Sequence, residues 1–391
     1  MSSGGVAGSD AKGDCLVTVE RAETLHVNVL TKADVLVARG IETVVRNTLA
    51  QCGSPNLAVE VQDVGSLDYV LAARTETAVR SALSVDAVAI KSRVRRLATP
   101  VDRPRRSRLY APGNNPRLLA SIDVHGADCV LLDLEDSVPL SEKLAARILV
   151  KHLLAAIPFP RDVWVRINGL DSEGEADVRE ILYGQPHGVC LPKAESAADV
   201  VALSKLLDEV EAAYDIDPGF TKIMPIIETA RGVLRCEEIA TADPRIVMMA
   251  FGAEDYTRDV GAIRSRPSLL FARSMIVAAA TVAGIQASDT VFSDLDDEEG
   301  LANETALARE LGFDGKGAIN PRQLGPIHRA FSPSEVELVY ARRVVEAAES
   351  AERAGSGAVA LDGKMIDKPV LERAKRVLKY GQQLVQGGDV A

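Results

Sequence analysis

The runs KIMPII at residues 222–227 and RIVMMAFG at residues 245–252 decide the fold, because both are apolar almost throughout. Such runs are typical of parallel strands that are buried on both faces. An acid follows each run, Glu228 directly and Asp255 a few residues later. If the strands are neighbours, both carboxylates emerge at one C-terminal edge, where a hard divalent cation could bind together with water and substrate oxygens. The competing interpretation is a pair of solvated acids at strand ends.

From Arg108 onward the chain alternates between strand and helix patterns. The predicted strands are RLYAP, DCVLLDL, DVWVRIN, GVCLP, KIMPII, RIVMMAFG, QASDTVFSD and GAIN, and the predicted helices include residues 116–124, 141–156, 197–213, 231–240, 268–283 and 298–311. Eight such units between residues 108 and 332 favour an α/β fold of the (β/α)8 TIM-barrel type over an open doubly wound sheet. In that fold the chemistry occurs where the strands end.

The N-terminal part has the pattern of a smaller, independent α+β domain. Residues 1–14 are rich in glycine and serine, and we expect them to be mobile unless another segment holds them. The runs CLVTVER, TLHVNVL, LAVEVQD and LDYVLAA predict strands, and residues 32–51 and 76–83 predict helices. The expected module is therefore ββαββα.

Four domain-level segments follow from these patterns: an N-terminal domain at 1–83, a basic linker at 84–107, a barrel at 108–332 and a helical extension at 333–391. Seven basic residues crowd the linker around Pro100 and Pro104, which predicts a solvated segment or, alternatively, a site where anions dock. The extension exceeds what a closed barrel needs. It is expected to cap the site or to reach into another subunit.

Composition excludes several functional classes. The formal net charge is -11, with 56 acidic against 45 basic residues, which argues against general nucleic-acid binding. The five scattered cysteines indicate reduced thiols rather than a disulfide framework or a zinc site. No run of about 18 apolar residues and no signal peptide occur, so we expect a soluble, cytoplasmic protein.

The predicted strand ends carry an acid-rich rim with a few basic residues. Arg166 in WVRING could bind a substrate carboxylate in bidentate fashion, or it could form a salt bridge to Asp133 or Asp136. Strand alternation should turn only one of Glu254 and Asp255 towards the barrel, and Asp255 is favoured as the metal ligand. The sequence contains no GxSxG and no HExxH motif, so we expect carboxylates or metal-bound water to transfer protons.

The barrel segment resembles a known enzyme family. RLYAPGNNP, LLDLEDSVPLSEKLAAR, WVRINGLDSE, LPKAES, IIETARGV, FGAEDYTRDV, GFDGKGAINPRQL and LDGKMIDKPV are similar, in order, to the motifs of the citrate lyase beta subunit of the HpcH/HpaI aldolase superfamily. The motif INPRQ resembles the corresponding motif of citrate lyase beta chains more than that of citramalyl- or malyl-CoA lyases. Residues 7–83 resemble the acyl-carrier (gamma) subunit of citrate lyase through AGSDAKGD and DVGSLDYVLAAR, which suggests a gamma–beta fusion.

The resemblance implies a lyase that splits a citryl thioester into oxaloacetate and an acetyl thioester. It implies that Mg²⁺ is held by Glu228 and Asp255 and that Arg166 binds the oxo-acid portion. In this retro-Claisen reaction the hydroxyl group loses its proton, the C–C bond breaks and a thioester enolate forms. Alternatives are a citramalyl- or malyl-CoA-type lyase that acts on free CoA esters, and a scaffold protein without activity.

Further roles are implied by the same resemblance. Tyr110 and Arg117 would meet the phosphopantetheine or nucleotide part of the thioester, and Asp367 in MIDKP would enter a neighbouring subunit's site as an acid–base group. A helix N-cap is the competing interpretation of Asp367. Asn320, at the end of the last predicted strand, is another candidate for substrate binding.

The resemblance also implies partners and a prosthetic group. The citrate lyase alpha subunit, an acyl transferase, is the expected partner, and the chain is expected to form a homo-oligomer, namely a trimer. The carrier family attaches a CoA-derived phosphopantetheine-type group to a serine, whose position is occupied here by Lys12. Lysine cannot form the phosphodiester, and Ser9 is the nearest hydroxyl, so the attachment site is unknown.

Overall fold

The computed structural model describes residues 4–53, 56–83, 90, 94–353 and 359–386. An N-terminal α+β unit, a closed barrel and a C-terminal helical extension follow one another along the chain. In the part of the chain that the structure describes, no helix is both long and apolar enough to cross a membrane. The five cysteines are free and buried, as the sequence predicted.

The N-terminal unit is a four-stranded sheet with two helices. Its strands are β1 Gly5–Ala7, β2 Cys15–Arg21, β3 His26–Leu30 and β4 Leu57–Asp63, in the order β1-β2-β4-β3, and its helices are α1 Val35–Gln51 and α2 Asp68–Leu83. The arm before β2 is held, because β1 pairs with β2 in antiparallel register, Gly5 opposite Val19.

The prediction of a strand at LDYVLAA is wrong, because all but the first of these residues belong to α2. This helix packs against its own sheet, against α1 and against the barrel helix α4, Lys143–Ala156. Eleven of its residues are buried, on every side of the helix. A helix that is buried all round lacks the polar stripe by which an amphipathic helix is identified, so its apolar run was mistaken for a strand.

The predicted TIM barrel is confirmed. Eight parallel strands close on themselves: β5 Ser107–Pro112, β6 Cys129–Asp133, β7 Asp162–Arg166, β8 Gly188–Leu191, β9 Lys222–Ile227, β10 Met248–Phe251, β11 Gln286–Asp289 and β12 Gly315–Ala318. Each strand pairs with the next along the chain, and β12 closes the barrel on β5. All eight C-terminal ends therefore meet at one face of the barrel.

Helices surround the strands, with boundaries close to those expected from the sequence. They are α3 Pro116–Leu119, α4, α5 Gly174–Ile181, α6 Ala197–Ala213, α7 Ala230–Leu234, α8 Cys236–Ala240, α9 Ala253–Val260, α10 Arg266–Ala283, α11 Glu298–Leu311 and α12 Leu324–Phe331. The helix predicted at 231–240 is two short helices, because the backbone leaves the helical region at Arg235. The helix predicted at 116–124 ends after one turn and continues as the 3-10 turn Ile122–His125.

The barrel strands divide their side chains between two apolar layers. On β5, Leu109 and Ala111 belong to the layer between strands and helices, whereas Tyr110 joins the layer inside the barrel. Because side chains alternate along a strand, Arg108 shares the inner face with Tyr110. The inner layer is built around Trp164, which is fully buried.

The prediction of a solvated linker before the barrel is wrong for Arg96, Arg105 and Arg106, which are buried, whereas Arg95 is exposed. Arg105 is 1% exposed and lies 2.9 Å from Asp162, and Arg106 lies 2.8 Å from Asp128. Arg96 donates to the carbonyl oxygens of Leu154 and Gly184. These arginines pair with buried acids and with backbone at the N-terminal end of the barrel, and so anchor the segment there.

The C-terminal extension consists of α13 Glu335–Arg353, the hairpin of β13 Val359–Leu361 and β14 Lys364–Ile366, and α14 Lys368–Gln386. Helix α14 packs on α13, and Lys379 on α14 lies 3.0 Å from Asp102, which precedes β5. The extension therefore reaches the N-terminal end of its own barrel. The sequence predicted that the extension either caps the site or reaches into another subunit. The first prediction is wrong for the site of its own chain, because that site lies at the C-terminal end of the barrel.

Candidate active site

A cavity of about 370 Å³ opens at the C-terminal end of the barrel. Its wall is unusually rich in charge for a cavity whose floor is the apolar interior of a barrel. The charged side chains that line it are Arg108, Asp133, Asp136, Arg166, Glu228, Glu254 and Asp255. Arg108 lies near the start of β5, whereas the other six lie at the ends of strands or in the segments that follow them, which is where side chains of this fold meet substrates.

Glu228 follows the last residue of β9 and is only 2% exposed. Its Oε1 accepts a hydrogen bond from the backbone N–H of Lys193 at 2.9 Å. Burial raises its pKa to about 8, and the negative charges of Glu135 and Asp255 add to this effect. The carboxylate is therefore held in place beside other acids that repel its negative charge.

Asp255 reaches the same cavity from the segment that follows the neighbouring strand β10. Strands β9 and β10 are paired, with Ile227 opposite Phe251, but β10 ends at Phe251, so Asp255 lies in the first turn of α9. The sequence had suggested that strand alternation turns only one of Glu254 and Asp255 towards the barrel. This reason is wrong, because both residues lie on a helix. Instead, Glu254 is exposed and pairs with Arg264 at 2.6 Å, whereas Asp255 is half-buried and pairs with Arg258.

These residues fit a hard divalent cation. Gly252, between the two acids, leaves the space beside Glu228 open, because a Cβ there would lie 2.3 Å from Oε2. Among the described residues no group of three or more histidine, cysteine or acidic side chains converges on a metal-sized site. Proteins usually bind Mg²⁺ through one or two carboxylates and leave the remaining coordination positions to water and substrate.

Arg166 ends β7 at the edge of the cavity and is surrounded by acids. Its Nε and Nη2 donate to the two oxygens of Asp133 at 2.7 Å each, and Nη1 lies 2.7 Å from Glu135. Burial disfavours the charged guanidinium, but the hydrogen bonds and charge of Asp133 outweigh this effect and raise the pKa of Arg166. The salt bridge considered from the sequence is present, and the guanidinium also lines the cavity.

Tyr110 lies between two guanidinium groups. Its ring centroid is 5.8 Å from the Cζ of Arg166 and 6.0 Å from the Cζ of Arg108. Arg108 was not among the candidates from the sequence, although RRSRLYAP carries the signal, since residues two apart on a buried strand share one face. Glu135 and Lys193 also act on Glu228, Glu135 through its negative charge and Lys193 through its backbone N–H.

Arg117 lies apart from this cavity. It is exposed on α3 and lines a groove of about 670 Å³ between the barrel and the N-terminal arm. Lys12 and Ser9 line the same groove, and the Ser9 hydroxyl donates to Asp14 at 2.9 Å. The arm that carries Ser9 and Lys12, the residue at the family's attachment position, thus lies beside the loop that follows β5.

Two other candidates are caps rather than cavity residues in this chain. Asn320 accepts a hydrogen bond from the N–H of Arg322 at 3.0 Å and caps a 3-10 turn, while its neighbour Ile319 lines the cavity. Asp367 accepts a hydrogen bond from the N–H of Val370 at 3.1 Å, at the start of α14. The structure of one chain does not bring Asp367 to its own cavity.

Comparison with known proteins agrees with this geometry. Residues 106–321 match the family model described as HpcH/HpaI aldolase/citrate lyase, and residues 3–82 match the ACP model described as malonate decarboxylase delta subunit. The chain is 46% identical to citrate lyase subunit beta of Escherichia coli strain K12 over 285 residues, which are 72% of this chain and 94% of that protein.

Two further relatives are informative about chemistry. A (3S)-malyl-CoA thioesterase of Cereibacter sphaeroides is 35% identical over 286 residues, which cover 72% of this chain and 96% of that protein. The protein CitE of Mycobacterium tuberculosis, solved in complex with magnesium, acetoacetate and coenzyme A, superposes with a TM-score of 0.60 at 35% identity. That superposition covers 72% of this chain and all of the other.

Proposed function

The chain belongs to the HpcH/HpaI aldolase/citrate lyase family of carbon–carbon lyases and carries an ACP-type domain at its N-terminus, and we propose that it cleaves a citryl thioester to oxaloacetate and an acetyl thioester. The observation that carries the proposal is the placement of Glu228, directly after β9, and of Asp255, in the first turn of the helix that follows the adjacent strand β10; both line one cavity beside Arg166. The 46% identity to a citrate lyase beta subunit supports the citryl group as substrate.

Glu228 and Asp255 are the residues that would hold Mg²⁺, the ion present in the related CitE complex. When bound there, the ion would polarise the hydroxyl and the adjacent carboxylate of the acyl group. Arg166 would orient that carboxylate through charge-assisted hydrogen bonds. Its three acidic neighbours fix the guanidinium before substrate arrives.

The bond that breaks joins the hydroxyl-bearing carbon to the α-carbon of the thioester. The hydroxyl loses its proton and becomes the keto group of oxaloacetate, while the electron pair of the broken bond passes to the α-carbon and forms the enolate. A proton delivered to that carbon then gives the acetyl thioester. We propose that Asp367 of a neighbouring copy of the chain delivers it, which its exposed position outside its own cavity supports.

The remaining roles concern the thioester arm and the assembly. We propose that Tyr110, inside the cavity, and Arg117, in the groove beside the arm, contact the phosphopantetheine or nucleotide portion, and that Asn320, next to the cavity residue Ile319, binds the substrate. The ACP-type domain would work with a citrate lyase alpha subunit, in a homo-oligomer of the chain. Trimeric assembly and a cytoplasmic location belong to the same proposal.

We propose the domain division 1–83, 84–107, 108–332 and 333–391. The N-terminal unit and the extension each contain a hydrophobic cluster of their own, which supports it, while Tyr69, Val70 and Ala73 of α2 join the cluster of the barrel. Residues 84–89 and 91–93 lie outside the part of the chain that the structure describes. The barrel strand β5 begins at Ser107, next to the proposed boundary.

A second candidate function is cleavage of a soluble CoA thioester of the citramalyl or malyl type. One observation favours it: Lys12 occupies the position at which the carrier family attaches its prosthetic group. The ACP-type domain would then be a fixed neighbour of the barrel rather than a carrier. Intact-mass analysis of protein produced beside its modifying enzymes separates the two, since a covalent adduct on residues 1–15 supports the carrier function.

The test of the lyase proposal is turnover of citryl-CoA with Mg²⁺, measured as oxaloacetate reduced by malate dehydrogenase and NADH. Glu228→Gln and Asp255→Asn should each lower kcat/KM by at least about 100-fold, as expected when a metal ligand is lost. Glu237→Gln, an exposed acid on α8, is the control and should keep full activity. Activity that persists in both site variants would refute the metal site.

A further inference from the structure

Arg108 is a buried cation at the floor of the active-site cavity. It is 1% exposed, lies on the inner face of β5 and lines the cavity together with Glu228 and Arg166. Because Tyr110 follows two residues later on the same face, Arg108 lies about 6–7 Å deeper along the strand. It therefore faces the innermost part of any bound substrate.

In the described part of the chain, no acid lies within salt-bridge distance of Arg108. Its Nη1 donates to the sulfur of Met224 at 3.2 Å and its Nη2 to the backbone carbonyl oxygen of Asp289 at 3.2 Å, while its Nε has no hydrogen-bond partner. By contrast, Arg273, equally buried nearby, forms two hydrogen bonds of 2.9 and 3.0 Å with the carboxylate of Asp289.

An unbalanced guanidinium in a barrel interior is costly, since thioether sulfur is a weak acceptor and burial removes the water that would solvate the charge. Such a group gains most from an anion that enters with the substrate. Arg166 is different, because Asp133 and Glu135 already neutralise it. Of the two arginines that line the cavity, Arg108 is the one that lacks a counter-ion.

The candidate acyl groups differ in the number of carboxylates that they bring. A citryl thioester has one carboxylate on the hydroxyl-bearing carbon and a second on a carboxymethyl arm. A citramalyl thioester has a methyl group in place of that arm, and a malyl thioester has a hydrogen. The first carboxylate is common to all three, so only the citryl group supplies an additional anion.

We infer that Arg108 binds the carboxylate of the carboxymethyl arm and thereby selects citryl over citramalyl thioesters. The inference rests on the proposed lyase function and specifies which of its substrates the site accepts. The first carboxylate would lie at the rim with Arg166, and the arm would point down the barrel past Tyr110. Oxaloacetate, which keeps both carboxylates after cleavage, would bind through the same two arginines.

The test compares kcat/KM for citryl-CoA and citramalyl-CoA in the wild type and in Arg108→Met, whose side chain can pack against Met224. The variant should lose at least about 100-fold with citryl-CoA and much less with citramalyl-CoA. Arg108→Lys should recover part of the citryl activity. Arg273→Met removes a buried guanidinium that does not line the cavity and should leave the ratio of the two substrates unchanged, although it lowers Tm.

Thermal unfolding distinguishes a binding role from a structural one. Since Arg108→Met removes an unbalanced charge, its Tm should equal or exceed that of the wild type. A Tm that falls together with both activities would mean that Arg108 serves the fold, and would overturn the inference. A citryl-to-citramalyl ratio within about threefold of the wild-type value would overturn it as well.

Binding of the keto-acid products keeps the inference testable if the lyase proposal fails. Calorimetry with Mg²⁺ and freshly dissolved ligand should show that wild-type protein binds oxaloacetate more tightly than pyruvate, and that Arg108→Met has lost this preference. Wild-type protein that cleaves neither thioester refutes the proposed function. Equal affinity of the wild type for the two keto acids refutes the role of Arg108.

Discussion

Replacement of Glu76 by glutamine should weaken the attachment of the N-terminal domain to the barrel. Glu76 lies on α2 with a fully buried side chain, and its Oε1 is 2.6 Å from the Nζ of Lys151 on α4. Its Oε2 accepts a hydrogen bond from Nε2 of His152 at 2.7 Å, and Arg80 lies 3.2 Å away. Lys151 and Arg80 also contact Glu180 of the barrel. The carboxylates of Glu76 and Glu180 therefore each contact both basic groups at the interface.

The magnitude follows from the ionisation of Glu76. Burial acts to raise its pKa, but the hydrogen bond from His152 and the charge of Lys151 outweigh burial and lower the pKa from 4.5 to about 2. At about 1.36 kcal/mol for each tenfold change in acid constant, this is about 3 kcal/mol of stabilisation of the carboxylate. Removal of one partner from a buried ion pair typically costs about 3–5 kcal/mol, which agrees with this value.

The assay is urea unfolding at pH 7 of the full chain, with Glu42→Gln as the matched control. Glu42 lies 2.7 Å from Arg46 on the exposed side of α1, in the same domain. Exposed pairs of this kind contribute about 0.5 kcal/mol or less. We therefore expect Glu76→Gln to lower the free energy of unfolding by about 3 kcal/mol, and the control by less than about 0.5 kcal/mol.

A result in which the two variants unfold within about 0.5 kcal/mol of each other would refute the reasoning. It would mean that the buried network at the α2–α4 interface contributes no more than a surface pair. Separate unfolding transitions for the N-terminal unit and the barrel in Glu76→Gln, but not in the wild type, would support the assignment of the lost energy to the domain interface.

Two further predictions concern acid stability and the shape of the site. Since the pKa of Glu76 is depressed on folding, its contribution is complete above about pH 4.5 and is lost as the pH falls towards 2, so the stability difference between wild type and Glu76→Gln should shrink over that range. A stability difference between wild type and Glu76→Gln that stays constant from pH 6 to pH 3 would contradict this prediction. Gly252→Ala should lower citryl-CoA turnover at least about tenfold, because its Cβ would lie 2.3 Å from Oε2 of Glu228 and displace that carboxylate. Gly40→Ala, with no atom within 4 Å of its added Cβ, is the control, and equal activity in both variants would count against the open space beside Glu228.

The sequence predicted the barrel and the position of its two central acids. Apolar runs such as KIMPII are continuous, are separated by amphipathic helices and are each followed by polar residues, so local patterns were sufficient to order eight strands around one face. The acids Glu228 and Asp255 follow two consecutive runs, and their meeting in one cavity was expected from strand adjacency alone.

Features that depend on contacts between residues far apart in the chain became visible only in the structure. Helix α2 was misassigned because its apolar residues pack both on the barrel and on its own sheet, and the arginines before β5 are buried because their acids, Asp162 and Asp128, lie at the starts of other strands. Arg105 and Asp162 are 57 positions apart, and Arg108 and the carbonyl oxygen of Asp289 are 181 apart.

By itself, therefore, the sequence determined the elements, their order and the family motifs, since each of these depends on residues that are close together in the chain. Only the tertiary structure decided which charges are neutralised. It pairs Arg166 with Asp133 and, among the residues that the structure describes, places no acid within salt-bridge distance of Arg108, because the electrostatic environment of a side chain depends on neighbours that the fold brings together from distant parts of the chain.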